Sequence, residues 1–93
     1  MILKDGHIIL YGVDSCSKTR HYKQLLDGLG LSYSYRDVAQ SDAAANELIN
    51  LYRTRKLNFP TIMLGTKKLR NPSDFQLKTW LLKLQYIVND IDK

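Results

Sequence analysis

A single cysteine, Cys16, occurs in the 93 residues. That excludes an internal disulfide framework and any zinc site built from several thiolates. Proline and glycine are few, 2 and 5 residues, and no linker, repeat or low-complexity segment interrupts the chain. Apolar runs are short, far below the ~20 residues a membrane helix needs. The opening Met1-Ile2-Leu3-Lys4-Asp5-Gly6 carries an acid and no long apolar region, so a secretory signal is not expected. With a lone thiol and no export signal, the reducing cytoplasm is the expected compartment. The two histidines, His7 and His21, fall in a strand and a helix without clustering, so no metal site is expected. Acids are the minority: 9 Asp and Glu against 14 Lys and Arg, a net charge of +5. Such an excess favours anionic partners but does not imply nucleic acid by itself.

What is present suits one small folded domain spanning residues 1–93. The chain is 44% hydrophobic and 25% charged, a globular balance with enough apolar surface to bury. His7-Ile8-Ile9-Leu10-Tyr11, closed by Gly12, reads as a strand buried on both faces. From Ser17 to Leu29 the period becomes helical, with Tyr22, Leu25, Leu26 and Leu29 on one face and Gly30 as the stop. Ser32 to Val38 alternates with period two, as a second strand does. Ser41-Asp42 offers a cap for a helix from Ala43 to about Arg55, striped by Ala44, Leu48, Leu51 and Tyr52. Asn58-Phe59-Pro60 breaks the pattern. Thr61 to Leu64 and Lys67 to Leu69 form a hairpin about Gly65-Thr66. A last helix starts at Asn71-Pro72-Ser73-Asp74, capped by Ser73 or Asn71. Its expected inward face is Phe75, Leu77, Trp80, Leu81 and Leu84, continuing to Ile87 and Val88 and fraying near Asn89. The order β-α-β-α-β-β-α implies an α/β fold. Its first two strands should be parallel, in a four-stranded mixed sheet flanked by helices on both faces.

Cys16 falls between the first strand and the first helix, within Gly12-Val13-Asp14-Ser15-Cys16-Ser17-Lys18-Thr19-Arg20. The carboxyl end of a strand is where α/β sheets form ligand crevices. A helix N-terminus favours an anion through its dipole and its unpaired N–H groups. Reactive thiols in such places have pKa values of roughly 3.5–7.5. First helical turns ordinarily attract Asp or Glu, yet Lys18, Arg20, His21 and Lys23 stand here. They cost helix stability and favour a thiolate, and a local rule broken at an expected crevice marks function. Asp14 opposes the effect if it points inward, and its direction stays open. A lone cysteine is otherwise a small buried hydrophobe; position and charge pattern favour reactivity instead.

Pro60 is the second signal. A proline abutting a strand sits at its start or edge, and an X-Pro bond is the realistic place for a cis peptide. A cis Phe59-Pro60 bond would offer the Phe59 backbone to an extended peptide-like ligand. A trans proline would simply end a loop, and both alternatives remain.

Leu10-Tyr11-Gly12, three residues, Cys16-Ser17-Lys18-Thr19, then Lys23-Gln24-Leu25-Leu26 resembles the active-site strand, turn and helix of glutaredoxins. Phe59-Pro60-Thr61 is similar to that family's segment ending in a cis-proline, and Ser73-Asp74 lies where its members bind glutathione. The resemblance runs from His7 to Leu82. It implies a thioredoxin-like (glutaredoxin) fold and thiol–disulfide exchange, with Cys16 and Thr19 as the catalytic pair. Lys18, Arg20, Phe59, Pro60, Ser73 and Asp74 are the implied glutathione-binding residues. Asp74 and the last helix's N-terminus would meet the ammonium and carboxylate ends. Glutathione is the implied co-substrate, with no metal or bound cofactor. The implied partners are glutathione and glutathionylated or disulfide-bonded proteins, for a monomer that binds neither nucleic acid nor membrane.

Departures from the family pattern are specific. Thr19 stands where many glutaredoxins have a second cysteine, so a dithiol mechanism within one chain is impossible. The Thr19 hydroxyl is left to hydrogen-bond the thiolate. Ser17 replaces a common proline, and Lys18 a usual aromatic or small residue. Arg70-Asn71 replaces paired glycines, where side chains would narrow the glutathione groove.

Other readings compete. Cys16-x-x-x-Arg20 has the spacing of glutaredoxin-linked arsenate reductases, and Leu69-Arg70-Asn71-Pro72-Ser73 is similar to their C-terminal segment. Those proteins carry a larger helical insertion for which this chain has no room. A non-catalytic binding module or iron–sulfur carrier on the same scaffold is a further alternative, although Lys18 stands where cluster carriers have a bulky apolar residue. Arg53, Arg55, Lys56, Lys67, Lys68 and Arg70 suit a helix C-terminus and sheet edges better than nucleic-acid contacts.

Overall fold

The structure is a computed structural model describing residues 7–52 and 59–87. Residues 1–6, the cations Arg53, Arg55 and Lys56, the breaker Asn58, and Val88 and Asn89 lie outside the described residues. The elements are β1 (Ile8–Gly12), α1 (Ser17–Gly28), β2 (Ser34–Asp37), α2 (Asp42–Asn50), β3 (Thr61–Leu64), β4 (Lys67–Arg70) and α3 (Asp74–Lys83). They form a four-stranded sheet in the order β2-β1-β3-β4. β1 pairs parallel with β2 and antiparallel with β3, which pairs antiparallel with β4. This is the mixed α/β architecture that the order of periodicities implies.

Strand alternation sends each strand's side chains to two cores. Ile8 and Leu10 of β1, Ile62 and Leu64 of β3 and Leu69 of β4 pack with Tyr22 and Leu26 of α1 and Leu77 and Leu81 of α3. On the other face Tyr11 packs with Val38 and with Ala44 and Leu48 of α2, flanked by Ile9 and Met63. Two helices therefore cover one face and one helix covers the other. β1, in contact with both cores, is apolar throughout for that reason.

Glycine acts at two turns. α1 ends in a Schellman arrangement: the Leu31 N–H reaches Leu26 C=O and the Gly30 N–H reaches Asp27 C=O, at 3.1 and 3.0 Å. Gly30 takes φ +73° there, a value that side chains disfavour. Gly65, at φ +64°, opens the two-residue loop joining Leu64 to its partner Lys67. Positive φ at that first loop position suits the strand twist of a tight hairpin.

Three expectations are corrected. β2 starts at Ser34 rather than Ser32. α2 stops at Asn50, where i→i−3 bonds from Leu51 N–H to Leu48 C=O and Tyr52 N–H to Ile49 C=O tighten the last turn. Tyr52, just past the helix end, still packs with Leu51 against the core under α2 and hydrogen-bonds Thr61 Oγ1 at 2.8 Å. Phe75 is not an inward residue: it is 79% exposed, whereas Leu77 and Leu81 are fully buried. At about 100° per residue, Phe75 points roughly opposite to Leu77. Ser73, not Asn71, caps α3.

Candidate functional site

The turn from β1 to α1 ends on Cys16, the N-cap of α1, in extended conformation (φ −84°, ψ 122°). Its N–H closes the turn on Val13 C=O at 3.1 Å, and its C=O receives the first helical bond from Arg20 N–H at 3.1 Å. The thiol makes no formed cap bond. The helix's leading amides therefore remain for a charge on sulfur. Cys16 is partly exposed and its pKa is lowered from the ordinary thiol value. The Thr19 backbone N–H is the largest cause; partial burial opposes it, and the Thr19 hydroxyl, the Lys18 backbone N–H and the Arg20 charge assist.

Thr19 is completely buried. Its Oγ1 accepts a 3.3 Å bond from Val13 N–H, and a hydroxyl that accepts there still has its proton to give a thiolate. Gly12 makes the position possible: a Cβ on Gly12 would lie 2.7 Å from Thr19 Cγ2.

Of the basic residues of α1, Arg20 favours the thiolate as the sequence leads one to expect, and the side chains of all four also have partners of their own. Lys23 Nζ lies 3.2 Å from Asp14 Oδ1 and 3.7 Å from the centre of the Tyr35 ring. Arg20 donates to Asp14 C=O at 3.0 Å, Lys18 to Asn71 Oδ1 at 3.1 Å, and His21 contacts Asp74. Asp14 does not oppose the thiolate by pointing inward. Its carboxylate accepts the Tyr35 hydroxyl at 2.9 Å, and that bond, with Lys23, holds its pKa below the ordinary value.

Opposite α1, the Phe59-Pro60 peptide is cis, which closes the question the sequence left open. Pro60 is buried and its C=O accepts the Asn71 N–H at 2.8 Å. Asn71 occupies the left-handed region, φ +47°, which asparagine tolerates better than most residues. The Tyr22 hydroxyl donates to Pro72 C=O and lies 3.5 Å from Asn71 Oδ1. α1, the cis-proline segment and the β4–α3 junction thus meet through Tyr22, Lys18 and Asn71. The Tyr22 pKa is raised, first by burial and then by the charges of Asp74 and Cys16, so both of those residues lie within electrostatic reach of its hydroxyl.

At the start of α3, Ser73 and Gln76 form a reciprocal capping box, with Gln76 N–H to Ser73 Oγ at 3.1 Å and Ser73 N–H to Gln76 Oε1 at 2.9 Å. Both Ser73 groups already have partners. Asp74 follows, with His21 Nε2 at 2.8 and 3.0 Å from its two oxygens. Phe59 and Phe75 are exposed, one beside the cis-proline and one beside Asp74.

The sequence reading did not foresee Gly12 as a seat for Thr19, Asn71 as the bridge, or the His21–Asp74 contact. An asparagine next to a proline just before a cap was the available sign for Asn71. Among the described residues, no group of three or more His, Cys, Asp or Glu could hold a metal, and no helix is long and apolar enough to cross a membrane.

Residues 8–69 match the glutaredoxin family model. No curated protein sequence matches the chain. Solved structures do. A thioredoxin-like protein, 25% identical, aligns with a TM-score of 0.63 over 83% of this chain and 97% of its own. The glutaredoxin of Archaeoglobus fulgidus, 12% identical, has a TM-score of 0.68 over 83% of this chain and 87% of its own. A buckwheat glutaredoxin, in a complex with glutathione, is 21% identical with a TM-score of 0.61 over 87% of this chain and 81% of its own.

Proposed function

The chain belongs to the glutaredoxin family, and on that premise we propose that it is a single-thiol, glutathione-dependent thiol–disulfide oxidoreductase acting through Cys16. One observation carries this reading. The only sulfur nucleophile of the chain sits on a helix N-terminus where the Thr19 and Lys18 amides and the Thr19 hydroxyl favour its anion.

In the proposed reaction the Cys16 thiolate attacks the glutathione sulfur of a mixed disulfide. The old S–S bond breaks, and the target leaves as a thiolate that takes a proton from water. Cys16 is left glutathionylated. A second glutathione thiolate then attacks the glutathione sulfur on Cys16, forming glutathione disulfide and returning the Cys16 thiolate. The target–glutathione disulfide and one incoming glutathione thus become the target thiol and glutathione disulfide. The target sulfur is reduced, the incoming glutathione sulfur is oxidised, and no metal takes part in the exchange. Thr19 offers no second sulfur, so the mixed disulfide is resolved from outside. The substrates are glutathionylated or disulfide-bonded proteins in a compartment rich in reduced glutathione, the cytoplasm.

The proposed glutathione contacts are the Phe59 backbone, Lys18, Arg20, Ser73 and Asp74 around Pro60. The buckwheat neighbour, crystallised with glutathione, supports that ligand class. Lys18 and Arg20 are surface cations free to exchange their present partners for ligand carboxylates. Reduction of a glutathione mixed disulfide, followed with glutathione as reductant, tests the reading. Wild type should turn over and Cys16→Ser should be inert. Equal rates for the two would dispose of it.

A further inference from the structure

Asp74 is the carboxylate that would receive the amino end of the ligand, and it already has an internal partner. His21 Nε2 lies 2.8 Å from Oδ1 and 3.0 Å from Oδ2, so one ring nitrogen faces both oxygens. The two side chains are 52% and 51% exposed, which leaves the contact open to competition from solution. A primary ammonium approaching Asp74 must displace the imidazole or share the carboxylate with it.

The contact is dispensable for the architecture around it. α1 and the β4–α3 junction are joined independently by the Tyr22 hydroxyl on Pro72 C=O and by Lys18 on Asn71. The start of α3 is held by its own capping box. Moving the His21 side chain away therefore frees a carboxylate without opening the groove.

We propose that His21 is a specificity-determining residue that competes with the α-ammonium of glutathione for Asp74. It thereby reduces the site's preference for ligands with a free amine at that end. The inference rests on the glutathione-binding reading above. Its consequence is selective: removal of His21 strengthens binding of the free-amine ligand and leaves an amine-blocked ligand unaffected.

The test is calorimetric titration of the full chain with S-methylglutathione and with N-acetyl-S-methylglutathione. His21→Ala should lower the Kd of the first by about two- to fivefold, the range for one exposed side-chain contact, and leave the second unchanged. His21→Gln, which keeps an N–H donor, should stay closer to wild type. Asp74→Asn combined with His21→Ala should erase the gain. The proposal is overturned if both ligands tighten equally, if neither changes, or if binding weakens. Mixed-disulfide turnover by wild type, measured alongside, separates the two failures. Turnover with no selective gain removes only the role of His21, whereas absence of both turnover and binding removes the glutathione reading as well.

Discussion

Thr19 packs against the bare α-carbon of Gly12, so closely that a Cβ there would come within 2.7 Å of the Thr19 methyl carbon. Because Thr19 is fully buried, it cannot swing into solvent to make room. Gly12→Ala should therefore destabilise the protein by about 1–3 kcal/mol, the usual cost of overpacking. Moving Thr19 also moves the amide that favours the Cys16 anion. Thermal unfolding and alkylation should report both effects: a lowered Tm and slower modification of Cys16. An unchanged Tm with unchanged reactivity would mean that Gly12 is not the seat of Thr19.

The Thr19 hydroxyl has two tasks, accepting from Val13 N–H and favouring the thiolate. Thr19→Val keeps the shape and the backbone amide but removes the oxygen. It should cost about 1–3 kcal/mol through the unpaired Val13 N–H and raise the Cys16 pKa only partway, since the amide remains. Complete loss of the thiol's acidity in this variant would contradict the leading role given to the amide. Thr19→Cys should not raise turnover of a glutathione mixed disulfide, because the proposed exchange uses one sulfur of this chain.

Tyr35 and Asp14 are coupled across the β1–α1 turn by their 2.9 Å bond. Burial and that bond raise the Tyr35 pKa, while the same bond is the first cause of the lowered Asp14 pKa. The signs differ. The Tyr35 contribution to stability is fully present below the free tyrosine pKa, about 10, and is lost as pH rises through its higher folded value. Tyr35→Phe should flatten the alkaline fall in stability and shift the Asp14 carboxyl titration upward in NMR. An Asp14 titration identical in the two proteins would show that the bond has no electrostatic weight.

The fold was legible where one period dominates a segment. The continuous apolar run of β1, the alternation in β2 and the Tyr22, Leu25, Leu26, Leu29 spacing in α1 need only local geometry. Phe75 was misread because hydrophobicity at a helix start says nothing of direction until the helix's phase is fixed by Leu77 and Leu81. At the site, position alone exposed Cys16, Pro60 and the α3 cap, since turns and helix ends carry their own residue signatures. The partners of the α1 cations were not legible. Lys18–Asn71 and His21–Asp74 each join residues 53 apart in sequence, and Asp14 is turned outward by Tyr35 on another strand. Such pairings depend on how elements pack, which periodicity does not encode.

The central claim is that the N-terminus of α1 makes Cys16 acidic, and its most direct test is the rate of Cys16 alkylation by iodoacetamide as a function of pH. A lowered folded pKa places the midpoint below that of a free cysteine, about 8.5. The associated stability is present above the unfolded pKa and is lost as pH falls through the folded one. The account predicts a midpoint below that of an unstructured cysteine peptide and faster modification than the peptide at pH 7. A midpoint at or above the peptide's, with no rate advantage at pH 7, would contradict it.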